Sequence, residues 1–149
     1  MGTAVAGEED KLRICVVDGQ GGGIGAALIK RLKEVYGEEH AVIALGTNAV
    51  ATAKMMKARA NWGASGENAI IRTVPTADVI LGPISIVLAN AMMGEVTPAI
   101  AAAVAAAPAP KILLPLTQAR VDIVGLSLEP LPHLIEKIIE RLRGFIKYV

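Results

Sequence analysis

Apolar and polar positions fall into blocks along the chain. Residues 12–17 form an apolar run broken only by Arg13 and closed by Asp18-Gly19, the pattern of a strand buried on both faces. From Ile24 the apolar residues recur at Leu28, Leu32 and Val35, one stripe of an amphipathic helix. Lys30, Arg31, Lys33 and Glu34 lie largely on its other face, and Gly37 stops it. Residues 41–45 predict a second strand, and Gly46-Thr47-Asn48 leads into an alanine- and methionine-rich helix over about 49–60 that ends near Gly63. Residues 69–74 and 77–81 are two further strand candidates, separated only by Pro75-Thr76. Parallel neighbours need a crossover of a dozen or more residues. Either the first therefore runs antiparallel to the second, or only 69–71 is strand and the remainder a connection.

After Gly82-Pro83 the pattern predicts a helix over 84–93, closed by Gly94. Thr97 as N-cap and Pro98 at the first helical position open another over 99–107, ended by Pro108 and Pro110. Residues 111–116 predict a strand, and four residues, 117–120, lead into a last apolar run, 121–126. A loop that short permits a hairpin, so the last strand is expected to be antiparallel and at the sheet edge. Residues 130–146 form an amphipathic helix, with Leu131, Leu134, Ile135, Ile138, Leu142 and Phe145 on the side that covers the sheet. The alternation of strands and helices predicts an α/β fold. Its expected form is a three-layer Rossmann-like sandwich with a mainly parallel sheet, in one domain over residues 12–149 behind a flexible tail, residues 1–11.

Composition supports that picture. A chain of 149 residues has the length of one domain, and such a domain buries roughly 70% of its unfolded surface. Hydrophobic residues make up 53%, yet only one Phe, two Tyr and one Trp occur, so Val, Ile, Leu, Met and Ala must fill the core. The net charge of +1, spread along the chain, lacks the basic footprint of a nucleic-acid binder. Cys15, the only cysteine, sits inside the first apolar run and reads as a small buried hydrophobe. No internal disulfide is possible, which points to a reducing, cytoplasmic setting. The uncharged stretches 79–94 and 96–110 are too short for the ~20 residues of a membrane span, and both contain prolines. The start of the tail is small and acidic, unlike a secretory signal.

The chemistry concentrates in Asp18-Gly19-Gln20-Gly21-Gly22-Gly23-Ile24-Gly25, where five of the seven positions 19–25 are glycine between a strand and a helix. A phosphate at a helix N-terminus meets unpaired N–H groups and the positive end of the dipole, and glycine lets the backbone approach it. Gly21-x-Gly23-x-x-Ala26 matches the dinucleotide fingerprint, while Gly19-x-x-x-Gly23-Ile24-Gly25 resembles the loop of short-chain dehydrogenases. The simpler alternative is a tight turn, which usually takes one or two glycines. A kinase-type P-loop is disfavoured, because no Gly-Lys-Ser or Gly-Lys-Thr follows and Lys30 lies too far down the helix.

Ligands of open α/β sheets bind beyond the carboxyl ends of the strands. That rule gathers Gly19, Gly21, Gly22, Gly23, Ile24 and Gly25 with Thr47, Asn48, Gly82 and Ser85 on one rim. No carboxylate stands at 46–48 to take ribose hydroxyls; Thr47 and Asn48 are the substitutes, and Asn48 serves equally as a helix cap. Gly82 brings backbone close to a ligand and Ser85 offers a hydroxyl. The catalytic candidates are weak. Glu67 lies in the polar loop 63–68, which reads as a turn on the opposite rim. Glu95 suits a helix N-terminus. Asp18 orders the glycine loop, binds a cation near phosphates or simply makes a turn. His40 and His133 are solitary, lack metal-ligand spacing and read as surface positions. The Tyr-Lys pair of short-chain dehydrogenases is absent, since Tyr36 is followed by Gly-Glu-Glu-His and Tyr148 is next to last.

The runs at 18–25 (DGQGGGIG), 46–49 (GTNA), 63–70 (GASGENAI), 82–84 (GPI) and 94–98 (GEVTP) together resemble a family of small bacterial proteins described only as a domain of unknown function. The resemblance extends from residue 12 to the last helix. More distantly the first half is similar to Rossmann-type dinucleotide-binding domains, a likeness of fold. That likeness implies an NAD(P)-like cofactor or another nucleotide, although the missing acid and missing Tyr-Lys pair argue against NAD itself and hydride transfer. The leading expectation is a domain that binds a small phosphate-bearing ligand. Its rivals are a non-catalytic nucleotide sensor or regulatory subunit and an assembly protein without ligand. Excluding water from so small a site calls for a lid, a partner or a second subunit, so a homo-oligomer built through helices or the edge strand is expected.

Overall fold

A computed structural model of the protein describes residues 11–147, so the tail before Lys11 and Tyr148 lie outside the described residues. Five strands, β1 (Arg13–Asp18), β2 (Ala41–Gly46), β3 (Trp62–Ser65), β4 (Val79–Pro83) and β5 (Lys111–Leu114), form one sheet in the order β3-β2-β1-β4-β5. Every pairing is parallel. The chain starts in the middle, winds to one edge through β2 and β3, then crosses back to β4 and β5. This order is consistent with a Rossmann-like, doubly wound arrangement.

Period-two alternation in the strands divides the core. Ile14, Val16, Val42, Ala44, Leu81 and Leu114 point to one face, covered by α1 (Gly23–Tyr36), α2 (Ala49–Lys57) and α5 (Leu131–Lys147). Cys15, Val17, Ile43, Leu45 and Ile80 point to the other, covered by α3 (Glu67–Thr73) and α4 (Pro98–Ala106). Both faces are buried under helices, which is why the central strands read as continuous apolar runs. α4 starts as its sequence predicts, with the Thr97 Oγ1 accepting from the Ile100 N–H at 3.1 Å and Pro98 in the first turn. No helix among the described residues is long and apolar enough to cross a membrane.

Several expectations are corrected. Residues 69–74 are not a strand but lie in α3 and the 3-10 turn Val74–Thr76, with Ile70 and Val74 four apart and both buried. The missing strand is β3, whose sequence Trp-Gly-Ala-Ser carries almost no apolar pattern because it is a short edge strand. The awkward strand pair thereby disappears, and α3 supplies the crossover that a parallel sheet requires. The helix expected over 84–93 reduces to the 3-10 turn Ile84–Val87 followed by a closed turn. Within that turn Asn90, Met92 and Met93 have φ of 66°, 56° and 56°, and the Asn90 N–H reaches the Val96 carbonyl at 2.7 Å. Burying Val96 beside Ile86 and Ala91 is incompatible with a continuous helix.

Residues 121–126 form no strand, and the antiparallel edge is not present; β5 ends the sheet instead. The second helix stops at Lys57 rather than 60, followed by Arg59 at φ 85°. Lys33 is buried, its ammonium held by Glu38 at 3.1 Å and by the Asn61 Oδ1 at 2.9 Å. His40 is also buried, its Nδ1 accepting from the Leu12 N–H at 3.0 Å and its ring set edge-on to Tyr36. His133 is exposed, as expected.

Candidate functional site

β1, β2, β3 and β4 all end on one rim, because the parallel register aligns Asp18 with Gly46 and Gly46 with Ser65. The glycine loop 19–22 turns back there, with the Gly22 N–H on the Gly19 carbonyl at 2.9 Å, and enters α1. Gly22 caps that helix at φ 75°, and a Cβ on it would lie 2.7 Å from the Ala51 backbone. A Cβ on Gly25 would meet the Met55 Sδ at 2.5 Å; one on Gly19 would meet the Thr47 Oγ1 and the Met92 Sδ. Three of the five glycines are thus required by conformation or close packing.

Gly21 and Gly23 are different. Neither has a positive φ, and a Cβ on either would meet nothing within 4 Å. Among the described residues no acceptor takes their N–H groups. Both face a cavity of about 440 Å³ lined by residues 18–24, Pro83, Ser85, Met92 and residues 116–118. That volume is within the range of small-molecule sites.

Two carboxylates build the loop. The Asp18 Oδ1 accepts from the Gly19 N–H at 2.8 Å and its Oδ2 from the Gly25 N–H at 2.7 Å, so the side chain at the end of β1 fixes both ends of the turn. Burial pushes the Asp18 carboxyl above the usual range; the Gly25 and Gly19 bonds pull against it, and the charge of Glu95 adds to the rise. Of its expected roles, ordering the loop is the one visible. The Glu95 Oε1 accepts from the Gln20 N–H at 2.8 Å, the Thr47 Oγ1 at 2.7 Å and the Asn48 Nδ2 at 2.8 Å. Burial opposes ionisation of Glu95, but the donors Thr47, Gln20 and Asn48 together outweigh it and hold the carboxyl below the ordinary glutamate value. One carboxylate therefore joins the glycine loop, the end of β2 and the turn before α4.

The structure separates the predicted rim into two groups. Ser85 stays at the cavity, buried, its hydroxyl donating to Thr117 at 2.7 Å. Thr47 and Asn48 lie behind the loop on Glu95, and Asn48 also caps α2 by accepting from the Ala51 N–H at 2.8 Å. Gly82 is not part of the cavity wall; a Cβ there would lie 2.4 Å from the Val17 carbonyl, so the β1–β4 pairing requires it. Glu67 follows β3 directly and is therefore on the same rim as the glycine loop, a correction to its expected place opposite. Its carboxylate accepts from the Thr97 hydroxyl at 2.5 Å and links the starts of α3 and α4. Each acidic candidate already serves as a structural acceptor.

Gln20 and Pro83 line the cavity within loops that the strand-end rule already gathers, whereas Met92, Leu116, Thr117 and Gln118 line it without having been expected there. The sequence pattern places Met92 in a helix and 117–118 in a hairpin loop, neither of which forms. No basic side chain lines this cavity; its polar lining is backbone, the Ser85 and Thr117 hydroxyls, the Gln20 and Gln118 amides and the Asp18 carboxylate. A separate groove of about 640 Å³ between α1 and α2 carries Lys30, Lys33, Lys54, Lys57 and Arg59, and touches the loop only at Gly23. The cations at the end of α2 match its dipole. Among the described residues, no three His, Cys, Asp or Glu side chains are grouped to hold a metal ion.

No curated protein and no solved structure matches the chain significantly. The family DUF3842, a domain of unknown function, matches residues 13–147, almost the whole described chain, and the protein belongs to that family.

Proposed function

We propose that the cavity at the ends of β1 and β4 binds a small phosphate-bearing ligand, a nucleotide or an NAD(P)-like dinucleotide, with a phosphate on the backbone N–H groups of Gly21 and Gly23. The observation that carries this reading is that these two positions need not be glycine for the fold, while both line the cavity and their N–H groups have no acceptor among the described residues. The positive end of α1 adds to the attraction for an anion. The Ser85 and Thr117 hydroxyls supply further polar contacts. Binding rather than turnover is favoured, because Asp18, Glu67 and Glu95 are all committed to holding loops. A sensor or regulatory domain fits this better than an enzyme.

The test compares thermal unfolding of the wild type with Gly21→Ala and Gly23→Asp, each with and without NAD, NADP and ATP. A ligand at about 100 times its Kd adds about 2.7 kcal/mol to the wild type. Without ligand both variants are expected to melt close to the wild type, since the added atoms meet open space and an acid in the first turn of α1 suits its dipole. With ligand the Gly23→Asp shift should vanish through charge repulsion. If Gly23→Asp keeps the full shift, the loop is removed from the binding site. The absence of any shift in ligand-free wild type defeats the nucleotide reading and leaves the glycine loop as a turn.

A further inference from the structure

After β5 the chain runs through residues 115–130 without regular structure before entering α5. Residues 121–128, Val-Asp-Ile-Val-Gly-Leu-Ser-Leu, hold five of the nine large hydrophobic residues exposed among the described residues. Val121 is 44% exposed, Ile123 39%, Val124 96%, Leu126 54% and Leu128 94%. The segment lies over β5 and α5 without closing on them. Cavities of about 350 and 180 Å³ remain beneath it, between Ile123 and Leu126 above and Ile84, Pro115 and Leu134 below. β5 itself has a strand on one side only, so its outer edge is unpaired among the described residues.

We propose that residues 121–128 and the outer edge of β5 form the interface of a two-fold dimer with a second copy of this chain. Three properties of the patch select that occupant. The first is extent: the five side chains expose on the order of 600 Å² of residue surface, at the top of what a soluble monomer leaves open and most of the ~800 Å² per partner in a stable interface.

The second is self-complementarity, which a two-fold interface demands. The patch offers both a bare strand edge and an extended β-branched segment able to pair with such an edge. Two copies can exchange these reciprocally. The third is charge: Arg120 and Asp122 flank the start of the segment, and neither forms an ion pair among the described residues. Across a two-fold axis each can face the other's counterpart.

The interface also bears on the cavity. Leu116, Thr117 and Gln118 form part of its wall and lead directly into the segment, so a second copy seated on 121–128 holds that part in place. The dimer itself does not depend on any ligand.

Sedimentation velocity over about a hundredfold range of concentration reads the mass. The wild type is expected to sediment as a dimer, and Val124→Asp with Leu128→Asp as a folded monomer, because both side chains are almost fully exposed and contribute little to the protomer. Met93→Asp, equally exposed but on the turn before α4, should leave the dimer intact. Arg120→Asp and Asp122→Arg should each raise the dimer Kd, and the two together should restore it. A monomeric wild type at every concentration overturns the proposal. A dimer that survives the double aspartate variant overturns it as well, by placing the interface elsewhere.

Discussion

Replacing Glu95 with alanine removes the acceptor of three donors, of which only the Asn48 amide keeps another bond, to the Gln20 carbonyl at 3.0 Å. The Gln20 N–H, the Thr47 hydroxyl and the Asn48 amide converge on Glu95 from 75, 48 and 47 residues away in the chain, so no local contact can replace what they lose. A hydrogen bond to a charged group is worth about 1.5–3 kcal/mol. Glu95 is only half-buried, however, and water can reach part of the released surface. The lower end of the range therefore applies, discounted again for rehydration, and the total loss should be about 2–3 kcal/mol. For a domain of this size that lowers the melting temperature by about 5–10 °C. Glu95→Gln keeps an acceptor without its charge and should lose about 1 kcal/mol. Circular dichroism melts at neutral pH measure the difference. Amide hydrogen exchange localises it: the Gln20 amide should exchange faster in Glu95→Ala, while Gly19 and Gly25, held by Asp18, keep their protection. If Glu95→Ala melts within about one degree of the wild type, the three bonds do not stabilise the fold and the account of the clamp is wrong.

Gly22→Ala should cost about 2–4 kcal/mol, read by urea unfolding, because it combines a left-handed backbone with a contact 2.7 Å from Ala51; a loss below 1 kcal/mol would mean that the N-terminus of α2 yields easily. Val96→Ala should cost about 2 kcal/mol by lost burial and cavity formation, and less than additively when combined with Glu95→Ala, since both loosen the same turn. Carboxyl titration by NMR should find the Asp18 midpoint above the ordinary aspartate value and the Glu95 midpoint below the ordinary glutamate value. The stability that Glu95 contributes is present above its unfolded value near 4.3 and is lost as pH falls through its folded value. Asp18 works in the opposite sense: its raised value makes stability highest below about 3.9 and lets it decline as pH rises through the folded value.

The parts legible in the sequence are those whose signal is local. β1, β2, α1, α4 and α5 carry period and caps within their own residues, as with Thr97-Pro98 before α4 and Asn48 before α2. The glycine loop and Asp18 were legible for the same reason, being consecutive. β3 was hidden because four residues at a sheet edge, three of them exposed, need no apolar pattern. The turn over 88–96 was hidden because Val96 folds back to the core and forces Asn90, Met92 and Met93 into backbone that their types do not favour. Glu95 looked like a helix-end charge, since nothing near it in the chain announces Gln20, Thr47 and Asn48. The apolar run 121–126 has the pattern of a strand yet forms none, because its side chains stay exposed and no neighbouring strand pairs with it among the described residues.

Cys15 sits in the middle strand of the sheet, fully buried, and burial pushes its thiol pKa up to about 11. Alkylating reagents attack thiolate that solvent can reach, and the folded protein offers neither condition. Modification therefore has to wait for β1 to come free of both β2 and β4, which is the opening of the whole sheet rather than fraying of an edge. Because the chain has a single cysteine, one added mass counts one such event. The protein thus contains its own clock for global opening, readable at constant temperature in buffer without denaturant and without an introduced label.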